Sequence, residues 1–167
     1  MTTHGFKHSY RNMLWQCSVF ALSFLLLFFS VAEAADKTIA AGGAEKISIQ
    51  RGPEQIAVFT VETVSEQKAM QKGLAERSSI HGDCGMLFIL DSSRTHFFWM
   101  KGMEFAIDIL FFSKDKTLIE IMPGLLPCVE CPKHKAPEGT TYALEIKAGM
   151  ADIFGIKTGD RLVYTDK

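Results

Sequence analysis

Cys128-Val129-Glu130-Cys131-Pro132-Lys133-His134 places two thiols with two residues between them and an imidazole three positions further on. Two thiolates and a histidine at that spacing are part of a tetrahedral zinc site, with Cys84 or His81 as the fourth ligand. The same two cysteines can instead close a disulfide, as can Cys84 with either of them, and an oxidising compartment would favour the bridge. A redox C-x-x-C is disfavoured, because such motifs take their reactive thiolate from a helix N-terminus and here Pro127 and Pro132 bracket a loop. Six methionines follow residue 34, with Met100 and Met103 close together. As soft ligands they would suit Cu(I), although methionine more often fills gaps in a core. No cofactor is otherwise called for, and zinc or copper is what this chemistry would take.

A second set is polar inside apolar runs. Asp108 stands among Phe105, Ile107, Ile109 and Leu110, and Glu145 interrupts Tyr142-Ala143-Leu144 and Ile146. A carboxylate drawn into such a run costs several kcal/mol unless a charge or hydrogen bond meets it. Lys101 is the nearest cation for Asp108. Trp99-Met100-Lys101 offers an indole platform and an ammonium for an anionic ligand group. The ligand-binding candidates are therefore Trp99, Met100, Lys101, Asp108 and Glu145. The plainer readings are a core aromatic strand, a structural ion pair, and a carboxylate on a solvent face. Two carboxylates and a lysine could perform acid and base work, but nothing in the spacing brings them together. No G-x-S-x-G, H-E-x-x-H or glycine-rich phosphate loop occurs, so no residue is assigned to catalysis.

Short, mostly extended elements must position these residues. Ile56–Val64 is dense in β-branched residues and reads as a strand. Ser65 is placed to cap a two-turn helix that runs to Lys72 and stops at Gly73. Met86–Leu90 reads as a buried strand that Asp91-Ser92-Ser93 turns back into a hairpin. Phe97–Met100 and Phe105–Phe112 are further apolar segments, with Leu118–Met122 as partner of the second. Residues 127–139 hold three prolines and form an irregular loop. Thr141–Ile146 is a strand, Met150–Phe154 a short helix closed by Gly155, and Arg161–Tyr164 the last strand. With nothing alternating as βαβ, the expected class is α+β, mostly β: a strongly bent sheet or a small, partly closed barrel with two short helices.

The N-terminus reads as an export signal. Lys7 and Arg11 precede an apolar run from Val19 to Val31, and Ala32-Glu33-Ala34 supplies small residues for cleavage after Ala34. The run is shorter than the roughly 20 residues a bilayer span needs, so no membrane anchor is expected after cleavage. Cys17 lies before the run and cannot be a lipid-bearing cysteine. Residues 35–55, including Ile47 and Ile49, are a tether or a leading strand, and 56–166 form one domain. Loss of Lys7, Arg11 and Glu33 from the chain's 18 basic and 19 acidic residues leaves a net charge of −2. Without a basic stripe, nucleic acid is not an expected partner. A periplasmic or extracellular monomer, or small homo-oligomer, is expected.

Phe59-Thr60-Val61-Glu62, Lys72-Gly73-Leu74, Gly85-Met86-Leu87-Phe88, Phe98-Trp99-Met100-Lys101 and Asp108-Ile109 occur in an order that resembles domain-of-unknown-function family 192. Leu144-Glu145-Ile146, Ala148-Gly149, Gly155-Ile156-Lys157 and Gly159-Asp160-Arg161 are similar to the family's closing signature. The resemblance spans Ile56–Tyr164. It implies a compact β-rich fold, frequent export and no assigned activity. A cysteine pair near the proline-rich loop is a recurrent family option, matched by Cys128 and Cys131. The chain departs from the family at Gly102 and Met103, where an asparagine and a threonine are usual, and at Lys147, where an asparagine is usual. If those amides line a pocket, ligand selectivity differs here. The leading functional expectation is an exported binding or accessory module with a shallow cleft around Trp99-Met100-Lys101. The rivals are a zinc or copper protein using Cys128, Cys131 and His134, and a carboxylate-based hydrolase or transferase.

Overall fold

The computed structural model describes residues 44–164, so the export signal and the cleavage point after Ala34 lie outside the described residues. The elements are β1 (Glu45–Arg51), β2 (Glu54–Val64), α1 (Gln67–Lys72), β3 (Cys84–Ile89), β4 (Phe97–Phe98), β5 (Ile107–Ser113), β6 (Leu118–Leu125), β7 (His134–Lys135), β8 (Thr140–Lys147), α2 (Met150–Ile153) and β9 (Arg161–Tyr164). Seven strands make one mixed sheet in the order β6-β5-β8-β3-β2-β1-β9, and β4 pairs with β7 in a separate ribbon. The class is α+β and mostly β, as expected. The sheet is not closed into a barrel, although its two end strands meet at one corner. There Leu118 N–H donates to Asp160 O at 2.7 Å, and Leu162 N–H to Lys116 O at 2.9 Å.

Of the two alternatives for the leading segment, the strand is the one found: Ile47 and Ile49 are fully buried in β1, which pairs with both β2 and β9. Two features differ from the sequence-based expectation. β2 and β3 are parallel, a pairing that needs a crossover, and residues 65–83 with α1 supply it. The chain thus contains one βαβ-like unit whose helix is too short to announce it. The hairpin expected after β3 does not form: β3 lies between β2 and β8, while β4 leaves the sheet to pair with β7.

α1 is built from good helix formers, Gln67 to Lys72, and its N-cap is Glu66 rather than Ser65, with no side-chain cap bond. Gly73 ends it at φ 50° and ψ −134°, a positive φ outside the left-handed helical region expected for it. Gly73 N–H closes the last turn on Ala69 O at 2.9 Å.

β8 sits between β5 and β3, and both its faces are covered. Leu144 and Ile146 join Ile47, Phe59, Leu87, Leu110 and Leu162 in one core. Ala143 joins Leu74, Met86, Phe88, Phe98, Ile109 and Phe111 in a second core on the opposite face. Side chains alternate along a strand, so Glu145 shares the face of Ala143. Phe98 binds that second core through edge-on contacts with Phe88 and Phe111, at 5.8 and 5.4 Å between ring centroids.

Gly85 lets β3 and β8 meet. A Cβ there would stand 2.6 Å from the main-chain oxygen of Glu145 and 3.1 Å from Ile146 Cγ2. Backbone cannot yield as a flexible side chain does, so Gly85→Ala is expected to destabilise the fold by about 1–3 kcal/mol. Urea unfolding checks this, and an unchanged midpoint would contradict the close approach.

Candidate functional site

A cavity of about 440 Å³ opens on the second face of the sheet. This lies within the roughly 300–1,000 Å³ typical of small-molecule sites. Glu145, Phe88, Ile89 and Leu90 come from the sheet; Met70, Lys72, Gly73 and Leu74 come from α1 and its end. Phe97, Phe98, Trp99, Lys101 and Met103 come from the segment that carries β4. Arg94, His96 and Asp91 line it from the turn after β3, and Ser65, Gln67, Gln71 and Ala75 from the crossover that carries α1. The two walls are joined where Glu76 N–H donates to Gly102 O at 2.9 Å.

Glu145 is the chemically unusual member. Its residue is only 7 % exposed, yet its carboxyl makes no hydrogen bond or ion pair with the described residues. Its cross-strand neighbours are Met86 and Ile109, neither of which offers a polar side-chain group of consequence. Burial alone pushes its pKa up to about 8, so the carboxyl keeps its proton at neutral pH. A Cβ on Gly73 would lie 3.7 Å from Glu145 Oε2 and 3.6 Å from Phe88 Cζ, which places that carboxyl beside the positive-φ end of α1.

Trp99 and Lys101 line the same cavity as Glu145, with the indole 39 % exposed and Lys101 at the surface. Met100 does not reach the cavity: it points into the second core and is buried there. Asp108 is elsewhere. It is opposite Ile146 in register, which puts its side chain on the other face of the sheet from Glu145. There Oδ1 accepts Gly124 N–H at 2.8 Å and Oδ2 accepts Ala151 N–H at 3.1 Å. The second bond satisfies a first-turn amide of α2, whose N-cap is Gly149 and has no side chain to offer. The pairing of Asp108 with Lys101 read from their proximity in sequence does not occur, and the two carboxylates do not converge.

Cys128 and Cys131 are joined by a disulfide. Joined sulfurs are not thiolates, which removes two ligands from the zinc arrangement in this state. Among the described residues no three or more His, Cys, Asp and Glu side chains stand together as a metal cage. His134 lies in β7 opposite Phe98, and Cys84 is buried at the start of β3 with its Sγ 3.6 Å from Asp83 Oδ1. The bridged loop adjoins the cavity wall: Lys101 and Cys128 form a parallel β-bridge, and the Lys133 ammonium lies 5.8 Å from the Trp99 ring centroid.

Gly73, Phe88, Phe97, Met70, Arg94 and His96 were not singled out as site residues from sequence. The signal for two of them was present, since Lys72-Gly73-Leu74 and Gly85-Met86-Leu87-Phe88 carry the family resemblance and both motifs meet at Glu145. Gly102 has φ 77°, a conformation that asparagine also tolerates. Glycine in place of the asparagine that the family resemblance implies therefore keeps the turn and carries no side-chain amide. Lys147 is exposed at the end of β8, away from the cavity lining.

The raised pKa of Glu145 has a consequence for stability. Between pH 4.5 and about 8 the unfolded chain has lost this proton and the folded chain keeps it, so stability falls as pH rises through that window and levels off above it. Denaturation of Glu145→Gln beside the parent at pH 5 and pH 8 is expected to show a loss of several kcal/mol, on the order of 3–5, in the parent alone. Parallel pH dependences in the two proteins would contradict the buried, unpartnered carboxyl.

Comparison with known proteins agrees with this architecture. A crystal structure of a proposed transcription regulator from Sinorhizobium meliloti 1021 superposes with a TM-score of 0.69 at 28% identity, covering 75% of this chain and 96% of that one. A protein of unknown function from Novosphingobium aromaticivorans DSM 12444 superposes with a TM-score of 0.69 at 26% identity, covering 79% of this chain and 93% of that one. No curated protein matches the chain significantly. The family model described as "Uncharacterized ACR" matches residues 45–164, from the first residue of β1 to the last of β9, and the chain belongs to that family, domain-of-unknown-function family 192.

Proposed function

We propose that this chain is an exported, non-enzymatic binding module whose small-molecule ligand enters the cavity between α1 and residues 97–103. The observation that carries the reading is Glu145: a buried carboxyl with no partner among the described residues, facing a cavity of ligand size. A carboxyl drawn out of bulk water with no protein partner lacks compensation for its lost solvation, and a ligand that supplies a hydrogen bond or a charge offsets that loss on binding. Trp99 and Phe97 present aromatic surface at the cavity, and Lys101 supplies charge. A binding role is favoured over catalysis because the second buried carboxylate, Asp108, is occupied by two backbone amides on the opposite face.

Export rests on the charged start, apolar run and small residues of positions 1–34, and the Cys128–Cys131 bridge fits an oxidising compartment. Transcription regulation is a role proposed for the Sinorhizobium protein and does not carry over to this chain. The near-neutral balance of this chain, 18 basic against 19 acidic residues, offers no electrostatic footprint for DNA.

Two measurements test these readings. In a small-molecule thermal-shift screen, Trp99→Ala is expected to weaken the hits by about five- to tenfold, as removal of an aromatic contact of roughly 1–1.5 kcal/mol would. Lys101→Ala is expected to weaken acidic hits selectively. If every hit shifts both variants as it shifts the parent, the cavity is not the binding site. Intact mass of the protein recovered from the exported fraction is expected to begin at Ala35 and to rise by two hydrogens on reduction. A full-length chain retained with the membrane would overturn export.

A further inference from the structure

We propose that the cavity takes a small zwitterion of the amino-acid type, its ammonium held by Glu145, its acid group by Lys101, and its apolar body by Phe88, Phe98 and Trp99. This rests on the reading of the cavity as a binding site and names its ligand class.

The charges around the cavity decide it. Lys72 is paired with Glu76 at 2.9 Å. Asp91 Oδ1 accepts from Ser93, and His96 Nε2 is 2.8 Å from Asp91 O. Three charged or ionisable lining side chains are left without a hydrogen bond or ion pair among the described residues: the buried Glu145 carboxyl and the exposed cations of Lys101 and Arg94. A simple amine would answer Glu145 and be repelled by the cations. A simple acid would answer the cations and leave Glu145 without a partner. One molecule bearing both groups satisfies both, and the aromatic side chains that line the same cavity suit an ammonium as well as an apolar side group.

Proton linkage gives the proposal its signature. An ammonium needs the Glu145 carboxylate, so below the pKa of about 8 each binding event releases one proton. Affinity then rises about tenfold from pH 6 to 7 and about fivefold from pH 7 to 8, and levels off above. The groups facing Glu145 across the cavity are Lys72 from α1 and Asp91, Arg94, His96 and Lys101 from the segment after β3, while Met86 and Ile109 beside it on the sheet do not titrate. Glu145→Gln separates these sources, since a slope owed to His96 would survive in that variant.

The test is calorimetric titration of the purified protein with L-phenylalanine, L-leucine, L-methionine and L-tryptophan, beside 3-phenylpropanoate and 2-phenylethylamine. At least one amino acid is expected to bind at least tenfold more tightly than both half-ligands at pH 8. Its affinity is expected to climb about fiftyfold from pH 6 to 8 and to lose that slope in Glu145→Gln. Lys101→Ala, a change at an exposed side chain that leaves the core untouched, is expected to weaken the amino acid tenfold or more and to spare 2-phenylethylamine. No binding by any of the four amino acids, an affinity that falls with pH, or a half-ligand that binds as well as the amino acid would overturn the proposal. In the last case, loss of half-ligand binding in Trp99→Ala would leave the cavity as the binding site and remove only the zwitterion.

Discussion

Gly85 and the carbonyl oxygen of Glu145 approach so closely that the space between them excludes even a methyl group. That contact seats β3 against β8, and β5 on the other side makes β8 an interior strand of the seven-stranded sheet. An interior strand has every backbone group in a ladder, and here both its faces are roofed by side chains. The candidate site follows from this. Once β8 is seated, alternation sends Leu144 and Ile146 to one core and Glu145 to the other, where the crossover from β2 to β3 and the β4 segment stand apart enough to leave a cavity. Arg77, held to Glu62 by two bonds of 2.6 and 2.8 Å, pins that crossover back onto β2. Arg51 does the same for the loop before β9 through Asp160.

The two buried carboxylates show how differently one residue class can be accommodated. Asp108 receives two main-chain N–H bonds and acts as a brace between the irregular end of β6 and the start of α2. Removing it would leave two amides without acceptors, so its role is explained without a ligand. Glu145 has no such explanation inside the described residues. A carboxyl of this kind weakens the fold it sits in, and positions where structure accepts a loss of stability are often those where function uses the group.

Much of the fold was legible in the residues. The strand composition of Ile56–Val64, Met86–Leu90, Phe105–Phe112 and Thr141–Ile146 placed four strands of the sheet to within a few residues, and Gly73 and Gly155 marked the ends of both helices. Pairing was not legible. Asp91-Ser92-Ser93 has the composition of a hairpin turn, but Asp91 Oδ1 accepts from Ser93 within a local turn and the chain then leaves the sheet. The crossover was hidden because its helix spans only Gln67–Lys72. At the site, Trp99, Lys101 and Glu145 were recognisable as polar or aromatic interruptions, and they do share one cavity. Asp108 looked identical to Glu145 in one dimension because each interrupts an apolar run. Only the register, Asp108 opposite Ile146 and Glu145 opposite Ile109, separates their faces.

The double-sided burial of β8 also governs which genetic changes the protein can absorb. Substitutions along residues 142–147 alter one side chain on one face, and many conserve volume well enough to be accommodated. A single codon gained or lost within that stretch is a different event, because the alternation has period two. Everything beyond the change would trade sides: Glu145 or its successor would enter the packed core of Leu87 and Leu110, and a leucine or isoleucine would face the cavity. Connections such as residues 126–133 and 91–96 carry no such alternation and can absorb a change of length, while the strand itself behaves as a fixed reading frame in three dimensions.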